Sequence, residues 1–139
     1  MLNVGSLKEG VVLDHIQAGR SMSIYHDLGL DKLDCSVAII KNARSNKMGR
    51  KDIIKIDAAI DLDMDILGYV DPDATVDVIR NGNLAEKRSI ALPERLRNVI
   101  CCRNPRCITT TEQELPQIFK LTDREQRIYR CVYCEAKAQ

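Results

Sequence analysis

The chain has 139 residues, 45% of them hydrophobic and 29% charged, with a formal net charge of +1. A chain this long buries roughly two-thirds of the surface it exposes when unfolded, enough for one sizeable core or for two small ones if the smaller carries a staple. The charge balance argues against a highly basic nucleic-acid coat protein, the opening MLNVGSLKEG has no long apolar core or cleavage site, and runs such as VAII are far too short to span a bilayer.

These properties predict a soluble, cytoplasmic protein with no membrane segment. In that reducing compartment disulfides are a poor first choice.

Taken in chain order, VVLDHI at residues 11–16 is β-rich, with polar residues only at Asp14 and His15. GRSMSIYHDLGLD predicts a helix, with Ser21 or Ser23 as cap, Ile24 and Leu28 as its apolar positions and Gly29 as stop. LDCSVAIIKN reads as a second strand, and Ile53 to Ile56 as a third, with Gly49 marking a bend before it. DLDMDILGYVDPD predicts a helix whose early carboxylates suit the helix dipole and whose end is followed by Pro72. TVDVIR, NGN and LAEK then read as strand, hairpin turn and short strand.

The order β-α-β-β-α-β, with one extra hairpin strand, is the split βαβ pattern of a ferredoxin-like α/β sandwich. Pro93, in ALPERLRN, marks a boundary beyond which the composition shifts to cysteine, arginine and short β-like runs. The expected class is α+β: a sandwich over residues 1–93 and a small all-β domain over 94–139.

Five of the six cysteines fall in that tail. Cys102 and Cys107 are separated by four residues and Cys131 and Cys134 by two, so each pair can clip one side of a tetrahedral ion. Leu115, Ile118, Phe119, Leu121 and Ile128 are its main apolar material, too little for an independent core, so one structural Zn²⁺ is expected to fold it. A redox Cys-x-x-Cys centre would sit at a helix start, whereas this one follows a strand-like run. A catalytic zinc would want histidine or carboxylate ligands, and the only histidines, His15 and His26, lie far off in the first domain. Cys101 competes with Cys102 as ligand. The four-residue spacer favours Cys102, and strand alternation would turn Cys101 into the core. Cys35 reads as a small buried apolar residue.

In the first domain, Lys55 and Lys87 each end or interrupt a strand of the same expected sheet, and Asp14 and His15 stand together at the end of another. A solvated face accounts for any one of them; two lysines and a histidine converging would make a phosphate pocket, with a nearby carboxylate free to orient a lysine or accept a ribose hydroxyl.

VLDHI, MGRKDIIKI, DATVDVI, LPERLRNVICC and CVYC together resemble, in order and over almost the whole chain, the regulatory chain of aspartate carbamoyltransferase. The resemblance implies a non-catalytic subunit with an N-terminal nucleotide-binding allosteric domain, through which two copies form a homodimer, and a C-terminal zinc domain that docks on the catalytic chain. It implies CTP as inhibitor and ATP as activator of an enzyme of pyrimidine biosynthesis. Carried over position by position, Asp14, His15, Lys55 and Lys87 match ribose- and phosphate-binding positions; Val4, Leu7, Val12, Ile53, Ile79 and Leu84 match positions lining base and sugar. The family pattern has Glu where Gly5 stands, Asn at Asp77 and Tyr at Gly82; the last two bear on the choice between CTP and ATP.

A rival reading is a zinc ribbon for nucleic acid, with Arg103, Arg106, Arg124, Arg127 and Arg130 on phosphates and Tyr129 or Tyr133 stacking on bases. Residues 94–139 hold nine Lys or Arg against six Asp or Glu, a net +3, which four thiolates and a divalent ion lower to about +1. That footprint is weak for nucleic acid, so no nucleic-acid partner is expected. An amino-acid-sensing domain of the same shape would not need the lysine pair. An autonomous enzyme is disfavoured, since no nucleophile–base pair, phosphate-cradling glycine loop or catalytic metal set is present.

Overall fold

The computed structural model describes residues 7–138, which divide between Ala91 and Leu92 into two compact units. The first holds β1 (Gly10–Gln17), α1 (Ser21–Asp27), β2 (Val37–Ser45), β3 (Gly49–Ile56), α2 (Met64–Val70), β4 (Thr75–Arg80) and β5 (Asn83–Ser89), with a 3-10 turn at Leu30–Lys32. Its sheet has the order β2-β3-β1-β4-β5, every neighbouring pair antiparallel. β1 and β2 flank β3, which is the split βαβ arrangement expected, and β5 extends the β4 edge.

The alternation of β1 and β3 decides which face is buried. Val11, Leu13, Ile54, Ile56 and Val76 point to one side, where Ile24 of α1, Leu30 and Leu67 of α2 close the core. The register of β1 against β3 shifts between Leu13 and Ile16, so Asp14 and His15 form a bulge, with His15 at φ 56°. The bulge lets Ile16 return to the core side. The hairpin turn is Asn81–Gly82, both with positive φ, the geometry an Asn-Gly pair supplies.

Two local expectations need correction. Neither Ser21 nor Ser23 caps α1: Arg20 occupies the cap position without a side-chain hydrogen bond, and Ser21 is instead buried, its hydroxyl 2.6 Å from Asp52 Oδ2. A buried acceptor outcompetes the helix end for that hydroxyl. Cys35 is half-buried, packed against the core cluster rather than within it. Gly29 does follow α1 in the left-handed region, as a helix stop should.

The second unit has β6 (Arg95–Arg97), a single helical turn α3 (Ile108–Thr111), β7 (Ile118–Asp123) and β8 (Ile128–Cys131), the strands ordered β6-β7-β8. Leu96, Phe119 and Cys131 stand opposite one another across its three strands and are buried with Tyr129 and Cys107. Of the apolar residues expected to fill this core only Phe119 is fully buried; Leu115, Ile118, Leu121 and Ile128 are half-buried. No helix among the described residues is long and apolar enough to cross a membrane.

Candidate metal centre and open sheet face

Cys102 and Cys107 straddle a turn in which the Cys107 amide donates to the Asn104 carbonyl at 3.0 Å and the Arg106 amide to Asn104 Oδ1 at 3.1 Å. Cys131 ends β8, and its carbonyl accepts from the Glu135 amide at 2.8 Å, Glu135 lying in the left-handed region at φ 64°. This tight return brings Cys134 back beside Cys131. Cys107 and Cys131 are buried; Cys102 and Cys134 are half-buried.

The four sulfurs all lie within 4.8 Å of one another, with Cys102 Sγ to Cys134 Sγ at 3.6 Å and Cys107 Sγ to Cys131 Sγ at 3.7 Å. A tetrahedral ion with bonds of about 2.3 Å sets its ligands about 3.8 Å apart, whereas a disulfide needs about 2.0 Å. The arrangement therefore fits a tetrathiolate ion. Around it, the Thr109 hydroxyl donates to Cys107 Sγ at 3.1 Å, and the Cys102 amide donates to Gln117 Oε1 at 2.9 Å. Such outer partners fix ligand orientation.

Cys101 is exposed and outside the cluster, which corrects the expectation that it turns into the core. Residues 98–100 form a bend and 101–104 are irregular rather than a strand, so neighbours there do not alternate between faces.

Crowding splits the thiols electrostatically. Burial, reinforced by the neighbouring thiols, pushes Cys102 up to about 12, and burial likewise raises Cys131. Burial also opposes ionisation of Cys134, but the Ala136 amide, the Asn104 side chain and the thiols of Cys102 and Cys131 bring it down to about 7. One thiolate, Cys134, thus forms readily while Cys102 and Cys131 keep their protons. A divalent cation at the centre reverses that preference, since each thiolate then faces a positive charge.

On the first unit, the face away from the helices carries one transverse row. Ala38 of β2 stands opposite Lys55 of β3, Lys55 opposite Val12 of β1, Val12 opposite Asp77 of β4, and Asp77 opposite Lys87 of β5. Ile53 shares the Lys55 face, and Ile79 and Leu84 stand opposite each other at the hairpin end; Leu84 is 56% exposed. Leu7 is half-buried, its side chain over Gly10 at the start of β1. Val4 and Gly5 lie outside the described residues.

Asp14 and His15 belong to the same face. Asp14 stands opposite Thr75, and His15 Nδ1 lies 3.1 Å from the Thr75 hydroxyl. Asp14 Oδ1 pairs with Lys51 Nζ at 2.9 Å, so this carboxylate already holds a lysine, and it is Lys51 rather than Lys55. Burial works against its charge, yet Lys51 and the His15 amide leave it below the usual carboxylate range. Lys51 was visible in MGRKD, but its pairing depends on the register of β3 against β1, which the sequence does not announce. Asp77 Oδ1 is buried without a hydrogen-bond partner among the described residues.

Two family models divide the chain between them. Residues 2–91 match "Aspartate carbamoyltransferase regulatory chain, allosteric domain", and residues 94–139 match the metal binding domain of the same chain. The chain belongs to the aspartate carbamoyltransferase regulatory-chain family. Similar regulatory chains include that of Clostridium botulinum strain Hall, 49% identical over 135 residues, or 97% of this chain and 92% of the relative. The regulatory chain of Clostridium acetobutylicum is 44% identical with the same coverage, and that of Bifidobacterium longum strain NCC 2705 is 44% identical over 138 residues, 99% of each. As a regulatory chain this is the non-catalytic subunit of its enzyme, with an allosteric unit and a metal-binding unit.

Proposed function

We propose that this regulatory chain binds CTP and ATP on the open sheet face of its first unit, forms a homodimer through that unit, and grips the aspartate carbamoyltransferase catalytic chain in the cytoplasm through a second unit folded around one structural Zn²⁺. The four cysteines Cys102, Cys107, Cys131 and Cys134 are its ligands. An all-thiolate set leaves no open position, so the ion supplies rigidity rather than chemistry.

The observation that carries the effector reading is the single face shared by Lys55, Lys87, His15 and Asp14, floored by Val12, Ile53, Ile79 and Leu84. The ammonium groups act as point charges on phosphates, and the apolar floor suits a sugar and base, with Leu7 at its N-terminal margin. Lys51 holds Asp14 in place. The partnerless Asp77 oxygen can only accept, so it favours a donor such as a ribose hydroxyl or an exocyclic amino group.

Triphosphate contacts common to both nucleotides supply affinity without direction. Regulation requires CTP and ATP to differ in affinity for two states of the assembly, and a typical coupling changes partner affinity roughly 5–150-fold. The zinc-ribbon alternative loses an aromatic: Tyr129 is buried, its hydroxyl donating to the Pro93 carbonyl at 2.6 Å.

Calorimetry on the intact chain tests the site. Lys55→Ala and Lys87→Ala should each weaken both CTP and ATP by about tenfold or more, as expected for one charge-assisted contact. Unchanged CTP affinity in both variants would remove the site.

A further inference from the structure

Asp14 and Asp77 both stand on the open sheet face, in opposite circumstances. Asp14 Oδ1 holds Lys51 Nζ at 2.9 Å and accepts from the His15 amide at 2.6 Å. Asp77 stands directly opposite Lys87 of β5 and Val12 of β1, yet neither Lys87 nor Lys55 lies within 4.0 Å of a carboxylate among the described residues. One Asp77 oxygen, Oδ1, is shut away from solvent with no hydrogen-bond partner there.

An opposed Asp and Lys is an ordinary way for a solvated sheet to neutralise itself. That account requires the two charges to meet, as Glu86 and Arg88 do at 2.7 Å on the same strand. Asp77 and Lys87 do not meet. A carboxylate oxygen hidden from water without a donor is a cost, and folded proteins carry few of them. The core lies on the other face, under Val76, so packing does not call for a carboxylate at this position.

Along β4 the open face runs Thr75, Asp77, Ile79, at about 6.7 Å per step. The register against β5 shifts between Val78 and Ile79, so Leu84 and Lys87, three residues apart, stand opposite Ile79 and Asp77 on this same side. The apolar end therefore adjoins the Asp77–Lys87 position. A nucleotide with its base on Ile79 and Leu84 and a phosphate on Lys87 brings that phosphate beside Asp77. Both groups are anionic and neither donates a hydrogen bond, so they repel, and they do so more strongly at a protein surface than in bulk water. The pair Asp14–Lys51 cancels, and Lys55, Lys87 and Asp77 together leave one net positive charge on the row. Each further phosphate gains less from that row than from two lysines alone.

We infer that Asp77 is a specificity-determining residue of the effector face. Its carboxylate offsets Lys87, so the site grades nucleotides by phosphate charge and holds a triphosphate less tightly, relative to a monophosphate, than its two lysines alone would. This rests on the effector reading of the face, which it refines by naming the residue that limits affinity for the polyphosphate.

The test is calorimetry of CMP, CDP and CTP on the full-length, metal-loaded chain in buffer without added magnesium. It is run at low salt and again at about 0.15 M, where the Debye length is roughly 8 Å. Asp77→Asn should bind CTP about tenfold more tightly than the wild type and CMP less than about threefold more tightly, and the gain should shrink at the higher salt. Asp77→Ala, which brings no amide donor, should widen the CTP-to-CMP ratio in the same direction. Lys87→Ala should cost more CTP affinity in the Asp77→Asn background than in the wild type, a coupling that a purely structural role of Asp77 does not produce. A ratio that fails to widen in either Asp77 variant overturns the charge selection and leaves the effector face standing. Widening in Asp77→Asn alone would trace to its new amide, and equal weakening of all three nucleotides would make Asp77 an acceptor for sugar or base. If neither the wild type nor the variants bind any of the three, the effector face and this inference fall together.

Discussion

Asp52 is the most heavily bonded side chain in the first unit. It is fully buried, and its carboxylate accepts from the Gly19 and Ser21 amides, the Ser21 hydroxyl and the Asn42 amide at 2.6 to 3.2 Å. These donors tie the start of α1 and the irregularity in β2 at Asn42 to β3. Burial opposes its ionisation, but the Ser21 hydroxyl and the three amides outweigh it, so its pKa lies below the ordinary carboxylate value. Asp52→Ala leaves the buried Ser21 amide and hydroxyl facing nothing, while the exposed Gly19 and Asn42 residues can turn their amides to water, and should cost about 2–3 kcal/mol, read as a lower urea midpoint. Because the folded pKa is depressed, the charged form's contribution is fully present above the unfolded value of about 3.9 and is lost as pH falls through the folded one. Amide exchange in β1 and β3 should therefore show the gap between wild type and Asp52→Asn closing below about pH 4; a gap constant down to pH 2 would rule this out. Asp52 sits inside MGRKD, one of the stretches that carry the family resemblance, but its role was not legible. Its donors lie 10 to 33 residues away, and no local pattern encodes them. The four cysteine ligand candidates were legible because spacing alone brings each pair together, while the fate of Cys101 depended on an irregular stretch of backbone.

At the scale of elements, legibility followed how local the cause is. The Asn81–Gly82 turn was readable, since positive φ at two adjacent residues leaves few choices of sequence. The start of α2 was readable too. Asp63 caps it, its Oδ1 accepting from the Asp65 and Ile66 amides at 3.0 and 3.2 Å, with Asp65 in the first turn beside the positive end of the dipole. Asp63→Ala should destabilise the first unit by about 1 kcal/mol, and Asp63→Ser should recover most of that. Equal thermal unfolding of wild type and Asp63→Ala would show the cap to be idle. The β1 bulge was not readable, because two polar residues in an apolar strand look the same whether they alternate or are extruded together. Asp14 reaches the open face by alternation with Val12; the irregularity puts His15 beside it, where its ring meets Thr75, and returns Ile16 to the core. A row of cations across the second unit's sheet was hidden for a similar reason. Arg95, Lys120 and Arg130 are scattered in sequence, and only the register aligns them.

The two units of the molecule stand on different physics. The first buries Leu13, Ile16, Ile24, Ile54, Ile56 and Leu67 completely or nearly so, a core that needs no other help. The second, Leu92–Gln139, closes on Leu96, Phe119 and Tyr129 with two cysteines, and its other large apolar residues among those described are half-buried or, like Ile108 and Val132, exposed. So few groups do not offset the conformational entropy of nearly fifty residues at about 1–2 kcal/mol each for the backbone. Structural zinc sites supply apparent binding energies of about 10–16 kcal/mol at pH 7, comparable with the whole stability of a small domain. Chelation should therefore unfold the second unit alone. Amide exchange over residues 92–138 should collapse to the unprotected limit, while β1, β3 and β4 keep their protection and CTP still binds by calorimetry. Association with the catalytic chain should disappear together with the second unit. Cys131→Ser should reproduce this without a chelator, because a serine hydroxyl does not ionise to replace the thiolate, and Cys101→Ser should leave metal content and protection unchanged. The dependence on pH has a fixed sign: protons compete with the metal for all four sulfurs, so acid should release it and alkali retain it. Protection that survives in residues 92–138 after the last metal is removed would mean that the small apolar cluster folds by itself.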